Sequence, residues 1–124
     1  MQLAKTPNQE TQFLLDSYIN GYIQYVFRKD NTPNKYEDLD AYLESEFKFA
    51  ATEYDFAEWL GNTSKAMLLT PENMCSMIHK VQAHYGTDTA ELFLEITPDT
   101  LLIEYAYCVI YYMSVEKIRE IIEQ

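Results

Sequence analysis

Cys75 and His79 are the residues whose types and spacing come nearest to a chemical site in this chain of 124 residues. Four positions apart, they would share one face of a helix. A thiolate and an imidazole can bind zinc, but zinc needs three or four ligands, and Cys108 and His84 form no second spaced pair. The same pair could act as nucleophile and base, but no glycine-bearing turn lies near Cys75 to supply an oxyanion hole. We therefore predict no catalytic, metal or cofactor site, and we expect Cys75 to pack and His79 to be solvated.

Glu104 is the other residue with chemical interest, because it is the one acid in the near-continuous apolar run 101–113. A carboxylate buried there would have to be paired or protonated. We expect it to point outward, or to meet a lysine, an arginine or a tyrosine hydroxyl. No glycine-rich phosphate loop is present in the sequence, which disfavours a nucleotide-dependent enzyme.

The elements that must position these side chains are marked by unusually clear helix starts. Thr-Pro occurs at three places where a helix could begin, and Thr caps a helix while Pro suits its first turn. The capping threonines would be Thr6, Thr70 and Thr97.

Apolar residues recur at helical spacing along most of the chain, which predicts an all-α fold. The helix at 98–113 is apolar all round except for Glu104, so we expect it to be buried on all sides. Gly21 inside the first helix suggests a close helix crossing. We predict a single domain, 1–124, formed by a compact bundle of about five to seven helices around the central helix. The predicted helices are 7–28, 36–50, 52–60, 71–85 and 98–113, followed by a last helix capped by Ser114.

Two segments have less certain patterns. Residues 63–69 form a connector without a clear type. In 87–96, Ala90, Leu92, Leu94 and Ile96 alternate like a strand, while Asp88 and Glu91 resemble a capping box. We favour a helix there, because no other segment offers a partner strand.

The charge balance is strongly acidic, with a formal net charge of −11. Such a field repels nucleic acid phosphates and anionic membranes, and it favours basic protein partners. The alternative is that the acidity serves solubility alone. Residues 1–10 lack an apolar signal-peptide core, and the longest apolar run, 101–113, is too short to span a bilayer. With two cysteines in apolar stretches, these features predict a cytoplasmic protein.

Acidic and aromatic residues coincide in one segment, 36–60, which we call the acidic aromatic segment. It holds eight acidic residues, one basic residue, Lys48, and seven aromatic residues. Two helices cannot bury seven aromatic side chains and keep every acid on a separate face, so some aromatics should lie among acids at the surface. That composition suits a binding surface for an Arg- and Lys-rich partner, although an ordinary charged helical face over a core remains the alternative. The predicted partner-binding residues are Tyr36, Glu37, Asp38, Asp40, Tyr42, Glu44, Glu46, Tyr54, Asp55, Glu58 and Trp59.

These features predict a small acidic helical module that docks on a basic surface of a nucleic-acid-handling protein and inhibits or regulates it. Nucleic-acid mimics, immunity proteins and phage-type anti-defence proteins work in this way, and they serve here as a class analogy. The first alternative is a self-associating structural or adaptor protein, with the tyrosine-rich helix 98–113 or the C-terminal helix as a homo-oligomer interface. The second is a small enzyme whose site would involve Cys75, His79 or Glu104.

Overall fold

The computed structural model describes residues 7–30, 38–86 and 96–124, and within these ranges every regular element is helical. The prediction of a compact all-α fold is confirmed. None of the helices in these ranges combines the length and apolar character needed to cross a membrane. The elements are α1 (Pro7–Asp30), α2 (Leu39–Ala41), a π-helical turn (Tyr42–Glu46), α3 (Phe47–Glu53), α4 (Phe56–Leu68), α5 (Pro71–Tyr85), α6 (Pro98–Tyr112) and α7 (Val115–Ile122).

Side-chain caps fix the helix starts, as the sequence predicts. The hydroxyls of Thr70, Thr97 and Ser114 each accept a hydrogen bond from the main-chain N–H three residues on, at 3.1 to 3.3 Å. Each bond satisfies one of the N–H groups that a helix start leaves without a partner. Thr6 and the segment 87–95 lie outside the described residues.

Helices α1 and α6 carry much of the core. α6 packs against α3, α4 and α5, while α1 packs against α3, α4, α5 and α7. The expectation that α6 is buried on all sides is wrong at its C-terminal end, where Tyr111 and Tyr112 are 59% and 65% exposed. A tyrosine ring counts as apolar in a sequence pattern, but its hydroxyl tolerates water. The core residues of α6 are Leu101, Leu102, Tyr105, Ala106, Cys108 and Ile110.

Two local departures from regular helix shape the middle of the chain. Between α2 and α3, the N–H of Phe47 bonds the carbonyl of Tyr42, five residues back, which is the π-helical pattern. In α4, Gly61 has φ 80° and ψ 163°, a conformation that breaks the helix at the predicted stop. The helix then resumes and continues to Leu68, so the connector expected at 63–69 is largely helical.

Candidate functional site

The acids of the first half of the acidic aromatic segment reach solvent. Asp38, Asp40, Glu44 and Glu46 are all exposed on α2 and the π-helical turn. Asp38 also serves as the N-cap of α2, accepting a hydrogen bond from the Ala41 N–H at 3.1 Å. Tyr36 and Glu37 lie outside the described residues.

Tyr42 does not lie on that surface. It is only 2% exposed, and its hydroxyl donates a 2.9 Å hydrogen bond to Asp30 Oδ2. Its ring packs against those of Phe27 and Phe47. Tyr42 is therefore a core residue whose polar tip is satisfied within the chain, and its ring is not available as a partner anchor.

Asp40 is exposed but has a partner within the chain. Its carboxylate pairs with the guanidinium of Arg119 on α7. This ion pair links α2 to the C-terminal helix and neutralises one charge of the predicted surface. Among the described residues of this half, the acids left to attract a partner are therefore Glu44, Glu46 and the capping Asp38.

The second half of the acidic aromatic segment forms a concave site, which we call the Trp59 pocket. Its volume is about 350 Å³. Four predicted residues line it together with two that the prediction omitted, Tyr25 and Glu53. The lining is Tyr25, Glu53, Tyr54, Asp55, Glu58 and Trp59.

The pocket is built where α3 ends and α4 begins. Tyr54 is extended, with φ −96° and ψ 144°, and this residue separates the two helices. Asp55 then caps α4 by accepting a hydrogen bond from the Glu58 N–H at 3.0 Å. Because the cap fixes the first turn of α4, Glu58 and Trp59 project from a defined position.

Two tyrosine hydroxyls from other helices hold this junction. The Tyr22 hydroxyl of α1 donates to the carbonyl of Tyr54 at 2.6 Å and also contacts that of Ala51. The Tyr107 hydroxyl of α6 lies 3.1 Å from the carbonyl of Thr52 and 3.3 Å from that of Tyr54. These carbonyls belong to the last turn of α3 and the residue after it, where intrahelical partners are lacking. Hydrogen bonds from α1 and from α6 therefore stabilise the backbone at the α3–α4 junction that forms the pocket.

Aromatic rings in mutual contact form the wall of the pocket. The Tyr25 ring meets Tyr54 edge-on at a centroid distance of 5.6 Å and lies 6.3 Å from Trp59. Trp59 also stacks on Phe56 at 6.2 Å. Behind the indole, a Cβ added to Gly21 would lie 3.0 Å from Trp59 Cη2, which confirms the predicted close approach at this glycine. The wall is therefore fixed by packing.

Three acids surround the pocket without an ion-pair partner in the part of the chain that the structure describes. Glu53, Asp55 and Glu58 are all exposed, and among the described residues none of them forms an ion pair with a lysine or arginine. Lys48, the one base of the acidic aromatic segment, is engaged elsewhere. Its ammonium donates to the carbonyls of Tyr111 and Met113 at the end of α6, at 2.8 and 3.2 Å.

Sequence reasoning missed Tyr25 because it lies on α1, far from the acidic aromatic segment along the chain. Nothing in the local pattern of α1 separates Tyr25 from its other tyrosines. Lys29, one turn further along α1, places its ammonium 5.9 Å from the centroid of the Tyr25 ring. The four-residue spacing of Tyr25 and Lys29 is evident in the sequence. Their position relative to Trp59 depends on how α1 crosses α4, which the sequence does not show.

The Cys75–His79 pair is on one face of α5, with Sγ and Nε2 3.9 Å apart. The expectation that Cys75 packs is wrong, since its side chain is exposed, whereas Cys108 is buried. The core-facing stripe of α5 runs through Met77 and Val81, and Cys75 points away from it. Within the described ranges, no three His, Cys, Asp or Glu side chains converge as a metal site requires.

A second aromatic cluster, which we call the tyrosine patch, lies between α5 and α6. The His84 ring contacts Tyr85, Tyr111 and Tyr112 at centroid distances of 4.5, 5.5 and 5.1 Å. His84 Nδ1 and the Tyr112 hydroxyl are 2.8 Å apart. All three tyrosines are at least half exposed. The patch is thus an accessible aromatic surface, separate in its lining from the Trp59 pocket.

Glu104 meets a tyrosine hydroxyl, as predicted. Tyr85 donates to Glu104 Oε2 at 2.7 Å, and this bond is the main reason that the pKa of Tyr85 rises to about 12. Burial raises the pKa of the Cys108 thiol to about 11, with the Glu104 charge acting in the same direction. A buried thiol with a raised pKa is a poor nucleophile, because the reactive thiolate is scarce.

Burial also raises the pKa of the Tyr22 and Tyr107 phenols that clasp the end of α3. The charge of Asp55 contributes to both shifts. Both hydroxyls therefore stay protonated at neutral pH and remain donors to the junction below the Trp59 pocket.

Comparison with protein-family models, curated proteins and solved structures finds no match for this chain.

Proposed function

We propose that the protein is a small acidic interaction module that docks on a basic surface of a nucleic-acid-handling protein and thereby inhibits or regulates it. The Trp59 pocket is the observation that carries this proposal. It combines three carboxylates without ion-pair partners among the described residues with three aromatic side chains in one concavity. Aromatic and arginine anchors that fill pockets within a polar rim are typical of the energetic centre of protein interfaces.

In such a complex, charged and aromatic side chains would contribute to different quantities, the association rate and the lifetime of the complex. The net charge of −11 would steer a basic partner toward the protein at long range, which raises the association rate. Exposed acids such as Glu44 would contribute mainly to that rate, because rim charges are screened by water. The aromatic side chains in the pocket would contribute mainly to the lifetime of the complex.

Competition with nucleic acid follows from the same chemistry. A protein surface that binds phosphates is rich in lysine and arginine, and an acidic module that covers this surface prevents nucleic acid from binding there. Inhibition therefore needs no catalytic group in this chain.

The test is affinity capture from a nuclease-treated lysate of the source organism with three baits, of which the two variants are matched in charge. One bait is the wild-type protein, one carries Glu44→Lys and Glu58→Lys, and the control carries Glu72→Lys and Glu116→Lys. All four glutamates are exposed, and only Glu58 lines the pocket. Both variants therefore change the net charge equally but at different places.

We expect the wild-type and control baits to recover a basic nucleic-acid-handling protein that the Glu44→Lys, Glu58→Lys bait loses. Recovery should also fall when the salt in the wash rises to about 0.5 M, where charges are screened within a few ångströms. Equal recovery by all three baits, or a recovered set with no nucleic-acid-handling protein, would contradict the proposal.

Self-association through the tyrosine patch is a second candidate, and the exposure of Tyr85, Tyr111 and Tyr112 favours it. An interface of this kind would be insensitive to salt, unlike an electrostatic complex. Sedimentation at increasing protein concentration should then show a dimer in high salt that Tyr111→Ser with Tyr112→Ser abolishes. A monomer at every concentration would rule this candidate out.

A further inference from the structure

We propose that the Trp59 pocket binds an arginine side chain of the protein partner, with the guanidinium on its aromatic wall and its N–H groups directed to its carboxylates. The inference rests on the proposed function and names the group that this function would recognise. The volume of the pocket, its aromatic lining, its carboxylates and the nearby Lys29 support this assignment.

The size of the pocket suits the end of one side chain. At about 350 Å³, it is near the lower limit of ligand pockets, which span roughly 300–1,000 Å³. It is also open at the junction of two helices, so an extended or helical partner segment could insert a side chain without entering the core.

The aromatic wall favours a cation. Tyr25, Tyr54 and Trp59 all line the pocket, and the face of such a ring attracts a positive group within about 6 Å of its centroid. Edge-on packing of Tyr25 against Tyr54 fixes both rings, so little side-chain entropy remains to be lost on binding.

The carboxylates provide acceptors around the same cavity. Glu53, Asp55 and Glu58 come from the end of α3, the junction and the first turn of α4, so they approach from different directions. One oxygen of Asp55 is already used to cap α4. Its second oxygen and the two glutamates leave several acceptors for a multidentate donor.

The chain itself offers an internal example of the contact. The Lys29 ammonium lies 5.9 Å from the Tyr25 centroid, so one ring of the wall already holds a cation beside it. This observation is independent of the acids and points to the same class of ligand.

Arginine fits this arrangement better than lysine. Its planar guanidinium stacks on aromatic faces and presents five N–H donors, whereas the lysine ammonium has three donors and is more strongly hydrated. An aromatic ring face with carboxylate acceptors around it matches a flat group with donors along its edge.

The experiment uses the indole of the pocket as its reporter, because Trp59 is the one tryptophan in the chain. Three blocked Gly-X-Gly peptides are titrated into the full-length protein, with X as arginine, lysine or citrulline. Citrulline has the shape of arginine without its charge. Trp59 fluorescence and the amide NMR shifts around 53–59 report binding.

We expect the arginine peptide to saturate the Trp59 response, the lysine peptide to bind roughly threefold to tenfold more weakly, and the citrulline peptide to give no saturable response. The Glu58→Gln and Glu53→Gln variants should each weaken arginine binding roughly threefold or more. Glu72→Gln, outside the pocket, is the matched control and should bind as the wild type does.

Equal binding of the arginine and lysine peptides would overturn the assignment to arginine, and an unchanged Trp59 signal with all peptides would overturn the site itself. Both glutamates of the pocket are exposed, so their variants are expected to fold, and circular dichroism verifies this. The two proposals fail separately. If no peptide bound the pocket but the baits still captured a basic protein, only the arginine site would be overturned. If the arginine peptide bound but no partner were captured, only the proposed function would be overturned.

Discussion

At the scale of single residues, tyrosine hydroxyls link distant helices through the main chain. Tyr22 on α1 and Tyr107 on α6 both reach the carbonyls at the end of α3. Tyr22 is fully buried, whereas Tyr107 is partly exposed. The position of the Trp59 pocket therefore depends on side chains that do not line it.

Removing these hydroxyls should have unequal effects. Tyr22→Phe is expected to lower the free energy of unfolding by about 1–3 kcal/mol, because it removes the tyrosine donor of the buried Ala51 carbonyl and leaves the Tyr54 carbonyl with Tyr107 alone. Tyr107→Phe should cost less, about 0.5–1.5 kcal/mol, since water can replace its hydroxyl. Urea denaturation of both variants measures the difference, and an equal or smaller loss for Tyr22→Phe would show that its hydroxyl does not hold the junction.

The Tyr85–Glu104 pair predicts a pH dependence. The pKa of Tyr85 is about 12 in the folded protein against an ordinary value of 10.0, so the stability it contributes is complete below about pH 10 and is lost as the pH rises from there toward 12. Glu104→Gln removes the charged acceptor and should return the pKa of Tyr85 toward 10. Ultraviolet titration of phenolate formation, with Tyr85→Phe to identify the signal, checks this; an unchanged titration in Glu104→Gln would contradict the assigned cause.

At the scale of elements, Gly61 holds α4 in two parts. Its φ of 80° with ψ of 163° is a combination that essentially only glycine adopts, and a Cβ there would meet no atom within 4 Å. Gly61→Ala should therefore cost about 1–3 kcal/mol through backbone strain alone. Asn62→Ala, at the exposed neighbouring position, should stay within about 0.5 kcal/mol. If the two variants unfolded at similar temperatures, alanine at position 61 would not strain the backbone, and this expectation would be wrong.

The sequence was sufficient for elements whose ends carry their own signals. Thr70, Thr97 and Ser114 cap helices as predicted, because a cap depends on residues within one turn. The π-helical turn at 42–46 was not predictable in this way, since α-helix and π-helix share the same residue preferences. The rings of Tyr42 and Phe47, at its two ends, are in contact in the core, and that contact is not encoded in a local pattern.

The candidate site was predictable only in part for a related reason. Tyr54, Asp55, Glu58 and Trp59 are neighbours along the chain, so composition alone placed them together. Tyr25 joins them through the crossing of α1 and α4, and no local pattern encodes that crossing beyond Gly21. Tyr42 was misplaced because an aromatic residue among acids looks the same in sequence whether it faces the core or the solvent.

At the scale of the whole molecule, the distribution of charge is the feature on which the proposed function depends. The net charge is −11, yet Asp40 pairs with Arg119, and Lys65 pairs with Asp99 at 2.9 Å. The pocket acids lack such pairing within the described residues, as do Glu44 and Glu46, so these acids remain available to the proposed basic partner. Attraction of this kind should weaken steeply with salt, whereas the helical core should not.

Competition between the protein and nucleic acid for the captured partner is the decisive measurement of the proposed inhibition. The captured partner is bound to a labelled nucleic acid duplex, and the wild-type protein is titrated in while the displaced fraction is measured by fluorescence anisotropy. We expect complete displacement by the wild type and by Glu72→Gln, and a roughly tenfold or greater loss of potency for Glu53→Gln combined with Glu58→Gln. A ternary complex that retains the duplex at saturating protein would contradict the proposed competition.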